Sequence, residues 1–360
     1  LPDEHRECER GRGGEPNQEQ NSLAVGEDVQ SLSLALSVII PVRNRAADLE
    51  RAVRALLRSE TPPLEILIVD DGSWEPLPAI VQHPCCRVIR LDGKHGSYFA
   101  RNLAASQARG GILAFIDSDV CVNAETLGRL RRRLSENENL AAVFGKYDQE
   151  PAARTFVSQY RNLLHTFMHQ TSNPDAHTFW TGCGAIRRRV FEEFGGFATD
   201  RMHLRDIELG VRLSQAGRPI LLDRTIEVTH LKRWTLRDVV RTDIFFRGAN
   251  WTEICLRNGG LPNDLNTRMG ERASVVLVYL MILCVPAAVM WGSKWLWAEA
   301  ALFAAYLILS RKILAFLVQA RSSGFAIRAI PLHVLYHLCC GAGFLAGLVQ
   351  LLRRPGGNST

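Results

Sequence analysis

No Cys-x-x-Cys pair occurs in the sequence, and its nine cysteines are an odd number placed mostly in apolar stretches. That argues against a zinc site and against a disulfide framework; the thiols read as reduced and mostly buried. No Gly-x-Gly-x-x-Gly follows the first apolar strand, which disfavours a dinucleotide-binding Rossmann unit. The opening residues are polar and lack the apolar core of a cleavable signal peptide. Lysine is scarce, and the arginine in its place reads as a compositional bias without mechanistic content. Residues 1–272 also lack net charge, with 36 basic and 36 acidic side chains. The net +6 of the chain therefore sits in its apolar C-terminal part. An excess placed there speaks against nucleic acid as a partner and for a membrane.

What is present divides into two regions. Residues 1–33 read as a flexible tail. From Leu36 an apolar, β-branched run ends at Pro41 and predicts a buried strand. Ala46 to Leu57 has helical apolar spacing, and Leu64 to Val69, Arg87 to Leu91 and Ile112 to Ile116 read as further strands, with a helix from Tyr98 to Ala108. Strands alternating with helices predict an α/β domain with a mostly parallel sheet covered on both faces. Ligands in such sheets bind beyond the carboxyl ends of the strands. Both acidic clusters, Asp70-Asp71-Gly72-Ser73 and Asp117-Ser118-Asp119, fall at ends of that kind.

The C-terminal region predicts about three transmembrane helices, near 273–293, 295–310 and 329–352. The outer two are uncharged over 21 and 24 residues, enough to span the hydrocarbon core. A buried helical core is the competing reading. With three spans and a cytosolic N-terminal domain, Arg311, Lys312, Arg321 and Arg328 fall in a cytosolic loop, as the positive-inside rule asks. Residues 236–272 read as amphipathic helices at the membrane interface, and 353–360 as a tail.

Asp117 and Asp119 suit a hard divalent cation such as Mg²⁺ or Mn²⁺, which takes one or two carboxylates plus substrate phosphates. Taken alone, each acidic cluster reads better as a solvated strand-end turn. Together they belong to a longer pattern. It comprises Val38-Ile39-Ile40-Pro41-Val42-Arg43-Asn44, Ile68-Val69-Asp70-Asp71-Gly72-Ser73, Gly96 with Ala100-Arg101-Asn102, and Phe115-Ile116-Asp117-Ser118-Asp119. Gly182-Cys183-Gly184-Ala185-Ile186 running into Phe194-Gly195-Gly196-Phe197, and Asp206-Ile207-Glu208-Leu209-Gly210, complete it. In this order and spacing the sequence from about Leu36 to Trp251 resembles the family 2 glycosyltransferases, inverting enzymes with the GT-A-type nucleotide-diphospho-sugar transferase fold.

The resemblance implies a role for each position. Pro41 and Asp71 line a nucleoside pocket supported by Arg101. Asp117 and Asp119 form the metal motif, with Asp119 the direct ligand and Asp117 also on the nucleotide side. Asp206 is the general base, drawing the proton from an acceptor hydroxyl; a helix N-terminal carboxylate favoured by the dipole is the bland alternative. The family often has Glu-Asp there, whereas Arg205 precedes Asp206, which leaves Glu208 in reserve. Processive synthases carry Gln-x-x-Arg-Trp where this sequence has His230 to Trp234. Arg233 and Trp234 are then the diphosphate and acceptor contacts. His230 fits either a third metal or diphosphate contact or a structural imidazole. Trp180 and Gly182 fit the border of an acceptor pocket, and a core position for Trp180 fits equally. His165, His169 and His177 read as acceptor-loop or surface residues rather than a metal cluster.

The expected protein is a membrane-anchored, metal-dependent, inverting glycosyltransferase. It takes sugar from a UDP- or GDP-linked donor to a lipid-linked or glycan acceptor, as in cell-envelope polysaccharide biosynthesis. It is multi-pass, with its catalytic domain, 34–235, facing the cytosol of a bacterial inner membrane. A non-catalytic nucleotide-sugar-binding membrane protein and a processive polysaccharide synthase are the alternatives.

Overall fold

The computed structural model describes residues 32–199, 203–259 and 267–353. The expected N-terminal tail therefore falls outside the described residues except for Leu32 and Ser33, and the C-terminal tail except for Arg353.

Among the described residues the N-terminal region is built on an eight-stranded sheet in the order β3-β2-β1-β4-β7-β6-β8-β5. Strands β1 (Leu36–Val42), β2 (Glu65–Asp70), β3 (Cys86–Arg90) and β4 (Ile112–Ile116) pair in parallel. β1, β2 and β4 are wholly buried, as expected of strands covered on both faces. The period of two divides their side chains. Val38, Ile40 and Val42 face helices α1 (Ala46–Leu57) and α3 (Thr126–Glu136). Ile39, Leu67 and Phe115 face α2 (Ser97–Ser106), α5 (Arg188–Glu193) and α6 (Arg205–Gln215). Helix α1 supplies Leu49, Ala52, Val53 and Leu56, a stripe at helical spacing.

The α/β architecture expected from the resemblance is present, and its second half adds antiparallel strands. β7 (Cys183–Arg187) runs antiparallel to β4 and to β6 (Ala142–Tyr147). β6 pairs in parallel with the long β8 (Ile220–His230), and the short β5 (Val120–Val122) closes antiparallel on β8.

Helix α4 (Phe156–Thr171) joins this domain to the C-terminal helices. Its Tyr160, Leu163, Leu164 and Phe167 form one core with Ile313, Leu317, Ala326 and Ala329. After β8 come α7 (Leu236–Arg241), a π-helical segment (Thr242–Gly248) and α8 (Ala249–Arg257). These occupy part of the stretch expected to be interfacial, and Trp251, Ile254 and Cys255 are buried there. Among the described residues two helices are long and apolar enough to cross a membrane, α9 (Met269–Trp291) and α12 (Ser323–Arg353). A third candidate is the pair α10 (Lys294–Leu309) and α11 (Arg311–Ala320), bent by 61°. The residues of the expected basic loop thus fall in α11 (Arg311, Lys312), just past it (Arg321) and near the start of α12 (Arg328).

Candidate active site

The ladder between β1 and β4 ends at Ile39 and Phe115. Beyond it the chains diverge, so Pro41 interrupts no bond to β4. At this divergence, where the strand order reverses, lies a cleft of about 420 Å³. Pro41, Arg101, Asp117, Asp119, Trp180, Asp206, His230 and Trp234 all line it. Eight of the positions named from the sequence thus converge from β1, β4, β8, α2, α6 and the approach to β7.

The carboxylates are held firmly. The Arg101 guanidinium donates to Asp117 Oδ1 at 2.5 Å and lies over the Tyr98 ring. Burial raises the Asp117 carboxyl to about 6; Arg101 opposes this rise, while Asp119 and Asp206 add to it. Asp119 Oδ2 stands 3.3 Å from Arg45 Nη1 and 3.9 Å from His230 Nε2. Burial pulls the His230 imidazole down to about 4, with Asp119 acting the other way. His230 is therefore neutral at pH 7, and its ring is stacked on Tyr147 at 4.3 Å.

Asp206 sits in the first turn of α6, entered through Leu204 in the left-handed region (φ 57°). Its carboxylate accepts four hydrogen bonds. Oδ1 takes the Tyr98 hydroxyl at 2.9 Å and the Ile207 N–H at 3.0 Å. Oδ2 takes the Thr181 N–H at 3.2 Å and the Thr181 hydroxyl at 3.1 Å. A carboxylate offers about four lone-pair sites, so an incoming hydroxyl must displace one of these donors. The two hydroxyls can rotate away; the two amides cannot. Tyr98 itself titrates well above its ordinary value, because it is buried and faces Asp206.

Not every named residue lies in the cleft. Past β8, His230, Lys232 and Trp234 line the cleft. Arg233 points to solvent, and it is Lys232 that lies in the cleft, its Nζ 3.8 Å from the Trp234 ring centroid. Asp71 is buried outside the cleft lining, where its carboxylate accepts from the His95 and Gly96 amides at 2.6 and 3.0 Å. It fixes the loop entering α2 and so places Tyr98 and Arg101. Gly182 lies under Trp180: a Cβ there would stand 2.2 Å from the indole. Its carbonyl accepts from the Asp117 amide at 3.4 Å. His165 and His169 have rings 4.2 Å apart on α4, and His165 reaches the cleft. His177 instead bonds Ser214.

Tyr98, Thr181, Lys232, Arg45 and Arg247 were not singled out from the sequence as site residues. Thr181 adjoins the Gly182-Cys183-Gly184 motif. Tyr98 meets Asp206 across 108 residues of sequence, and no local signal reports that contact.

The donor set fits a hard divalent cation. Asp119, Asp117 and a neutral His230 supply oxygen and nitrogen lone pairs. Among the described residues no group of three His, Cys, Asp or Glu side chains is closed enough to cage a metal unaided.

The sequence model described as "Glycosyl transferase family 2" matches residues 37–195. Glycosyltransferase AglE of Haloferax volcanii is 34% identical over 190 residues, covering 51% of this chain and 62% of that protein. Pre-mycofactocin glycosyltransferase of Mycobacterium tuberculosis is 26% identical over 269 residues, covering 68% and 56%. The chain thus spans about 60% of the length of these curated relatives. Among solved structures, the mannosyltransferase PcManGT from Pyrobaculum calidifontis, in complex with GDP-Man and Mn²⁺, is 20% identical with a TM-score of 0.48, covering 88% of this chain and 86% of that one.

Proposed function

We propose that this chain, whose residues 37–195 match the sequence model of glycosyl transferase family 2, moves a sugar from a nucleoside diphosphate donor to a lipid-linked or glycan acceptor at a membrane, with inversion. The observation that carries this reading is the convergence of Asp117, Asp119 and Asp206 on one cleft. The first two sit at a strand end and the third at a helix N-terminus across from them.

In the proposed reaction the acceptor hydroxyl replaces Tyr98 or Thr181 at an Asp206 oxygen. The hydroxyl oxygen attacks the anomeric carbon from the face opposite the diphosphate. The new C–O bond forms as the bond to the diphosphate oxygen breaks, and the proton passes to Asp206. Arg101 holds Asp117 in register, and Pro41 and Asp117 border the nucleotide side. Lys232 lies beside Asp119, where an anionic leaving group would sit. A divalent ion held by Asp119 and Asp117, with His230 as a further contact, would supply charge neutralisation for the departing diphosphate. Trp180 and Trp234 offer aromatic faces for sugar rings.

The membrane placement has its own support. Arg321 donates to Gln159 at 2.7 Å and pairs with Glu150 at 3.0 Å, and Arg328 lies over Phe156. Arg321, between α11 and α12, and Arg328, near the start of α12, therefore rest against the N-terminal domain. Under the positive-inside rule that side is the cytosol, and the expected setting is a bacterial inner membrane.

The test is nucleoside diphosphate release from UDP- and GDP-sugars by purified protein with Mn²⁺ and a membrane lipid extract. Metal-dependent release that leaves labelled sugar in the extract is expected. No release from any nucleotide sugar tested would refute the reading.

A further inference from the structure

Tyr147 closes β6, is buried and lines the cleft, yet no step of the proposed reaction uses it. The pairing of β6 with β8 sets its place. Tyr147 stands opposite Val228, and His230, two residues on and on the same face of β8, covers the ring. The two rings are stacked 4.3 Å apart at an angle of 10°. Trp180 meets the phenol edge-on at 4.9 Å, and His165 lies against it at 4.5 Å. The Tyr147 carbonyl accepts from the Thr166 hydroxyl at 3.1 Å, which ties the strand end to α4. A ring enclosed in this way has little freedom to turn.

The hydroxyl is the exception to this close fit. It makes no hydrogen bond among the described residues, and it is not sealed from solvent as Trp234 Nε1 and His165 Nδ1 are. Buried tyrosines usually place their hydroxyl on a partner. A fixed phenol that opens to a cleft without one is preorganised for a ligand. Asp119 and then Asp117 are the carboxylates that act on it most, so it lies toward the strand end where a donor's diphosphate would be neutralised. The cations suited to that diphosphate, Arg45 and Lys232, stand near Asp119. The rings packed on Tyr147 are uncharged, since burial holds both His165 and His230 neutral at pH 7. Such a wall suits a sugar ring better than a phosphate.

We propose that the Tyr147 hydroxyl hydrogen-bonds one hydroxyl of the sugar being transferred, and so helps decide which nucleotide sugar the cleft accepts. The inference rests on the glycosyltransfer reading and adds a specificity-determining residue to it. A phenol both donates and accepts, as a sugar hydroxyl does. The contact therefore reads where that hydroxyl sits on the ring, because an epimer that turns it away leaves the phenol unpaired.

The experiment uses the full chain in dodecyl maltoside with Mn²⁺. UDP-glucose, UDP-galactose, UDP-N-acetylglucosamine and GDP-mannose are titrated calorimetrically beside UDP and GDP. The nucleotide sugar that binds most tightly is then followed by its monodeoxy analogues. Tyr147→Phe keeps the stacked ring and removes no bond made in the free protein, so its melting temperature should match wild type. It should weaken the chosen nucleotide sugar by about three- to tenfold, the worth of one neutral hydrogen bond, and leave nucleoside diphosphate affinity within about twofold. One monodeoxy analogue should bind wild type and Tyr147→Phe alike, because the contact is already missing. An equal loss for the nucleoside diphosphate would overturn the proposal, since the hydroxyl would then serve a phosphate. So would a weaker affinity for Mn²⁺ alone, read by electron paramagnetic resonance, which would confine Tyr147 to supporting His230. A lowered melting temperature would give the hydroxyl a partner within the protein and overturn it too. Wild type and Tyr147→Phe that bind the nucleotide sugar equally overturn this inference alone. Wild type that binds no nucleotide sugar removes the glycosyltransfer reading with it.

Discussion

Replacing Asp206 with Asn separates chemistry from binding at the point where the two meet. The native carboxylate accepts from Tyr98, Ile207 and, twice, from Thr181. Asparagine keeps one accepting oxygen and turns the other site into a donor. Tyr98 and the Thr181 hydroxyl can rotate to accept from the new NH₂. The backbone amides of Thr181 and Ile207 cannot, so one of them loses its partner, at a cost of about 1–3 kcal/mol. Loss of the negative charge at the start of α6 adds about 0.3–1 kcal/mol. The folded protein should survive with a melting temperature lower by on the order of 5–10 °C. Transfer should fall much further, since general base catalysis contributes about 10²–10⁴-fold, equal to roughly 3–5 kcal/mol of barrier. Pro41, Arg101 and Asp117 are untouched, so nucleoside diphosphate affinity should stay within about threefold of wild type, well under 1 kcal/mol. The assay pairs single-turnover transfer into lipid extract with calorimetric titration of UDP and GDP in Mn²⁺. Transfer by Asp206→Asn within about tenfold of wild type, below the span a general base supplies, would refute the assignment of the base.

Other perturbations probe the same frame. Removal of divalent metal by EDTA should abolish transfer, with Mn²⁺ restoring it, and His230→Ala should raise the Mn²⁺ needed for half-maximal rate by about tenfold; an unchanged metal requirement would leave His230 a structural imidazole. Gly182→Ala drives a methyl to 2.2 Å from the Trp180 indole and should raise the acceptor KM by about tenfold through a misfit near 1.4 kcal/mol, read by initial-rate kinetics at saturating donor. Arg321→Ala removes the bonds to Gln159 and Glu150 and should cost about 1–2 kcal/mol, read as a lower melting temperature with faster proteolysis near residues 149–159. At Asp223, burial raises the carboxyl, but hydrogen bonds from Arg133 and Thr225 outweigh it and hold the pKa below 3.8. Its stabilisation is therefore present above the ordinary aspartate pKa and is lost as pH falls through the folded value. Urea melts between pH 5 and 2.5 should show a shallower acid decline for Asp223→Asn.

Much of the parallel half of the sheet was readable in advance because its signals are local. The runs at Leu36, Leu64 and Ile112 are apolar and β-branched, and strands buried on both faces have that composition. The helix predicted from Ala46 to Leu57 is observed at the same bounds. The antiparallel half was not read in advance. β8 carries Asp223, Arg224, Thr225 and Glu227 within its span, and β6 and β7 each contain a glycine. Their identity as strands depends on partners brought from far along the chain.

The sequence by itself determined which residue types end the strands: Pro41 after an apolar run, Asp117 and Asp119 after another, and Asp206 before an amphipathic stretch. It also determined that excess positive charge belongs to the apolar C-terminal region. These are properties of composition and short-range order, which a chain carries before it folds. Only the tertiary structure decided that Lys232 rather than Arg233 faces the cleft, since that depends on the register in which β8 leaves the sheet. It also turned Asp71 to the amides of His95 and Gly96, brought Tyr98 and Thr181 onto Asp206, and set Arg247 beside Arg161 in the cleft wall. Each of these joins residues distant in sequence or depends on a side chain's direction, and packing, not local propensity, fixes both.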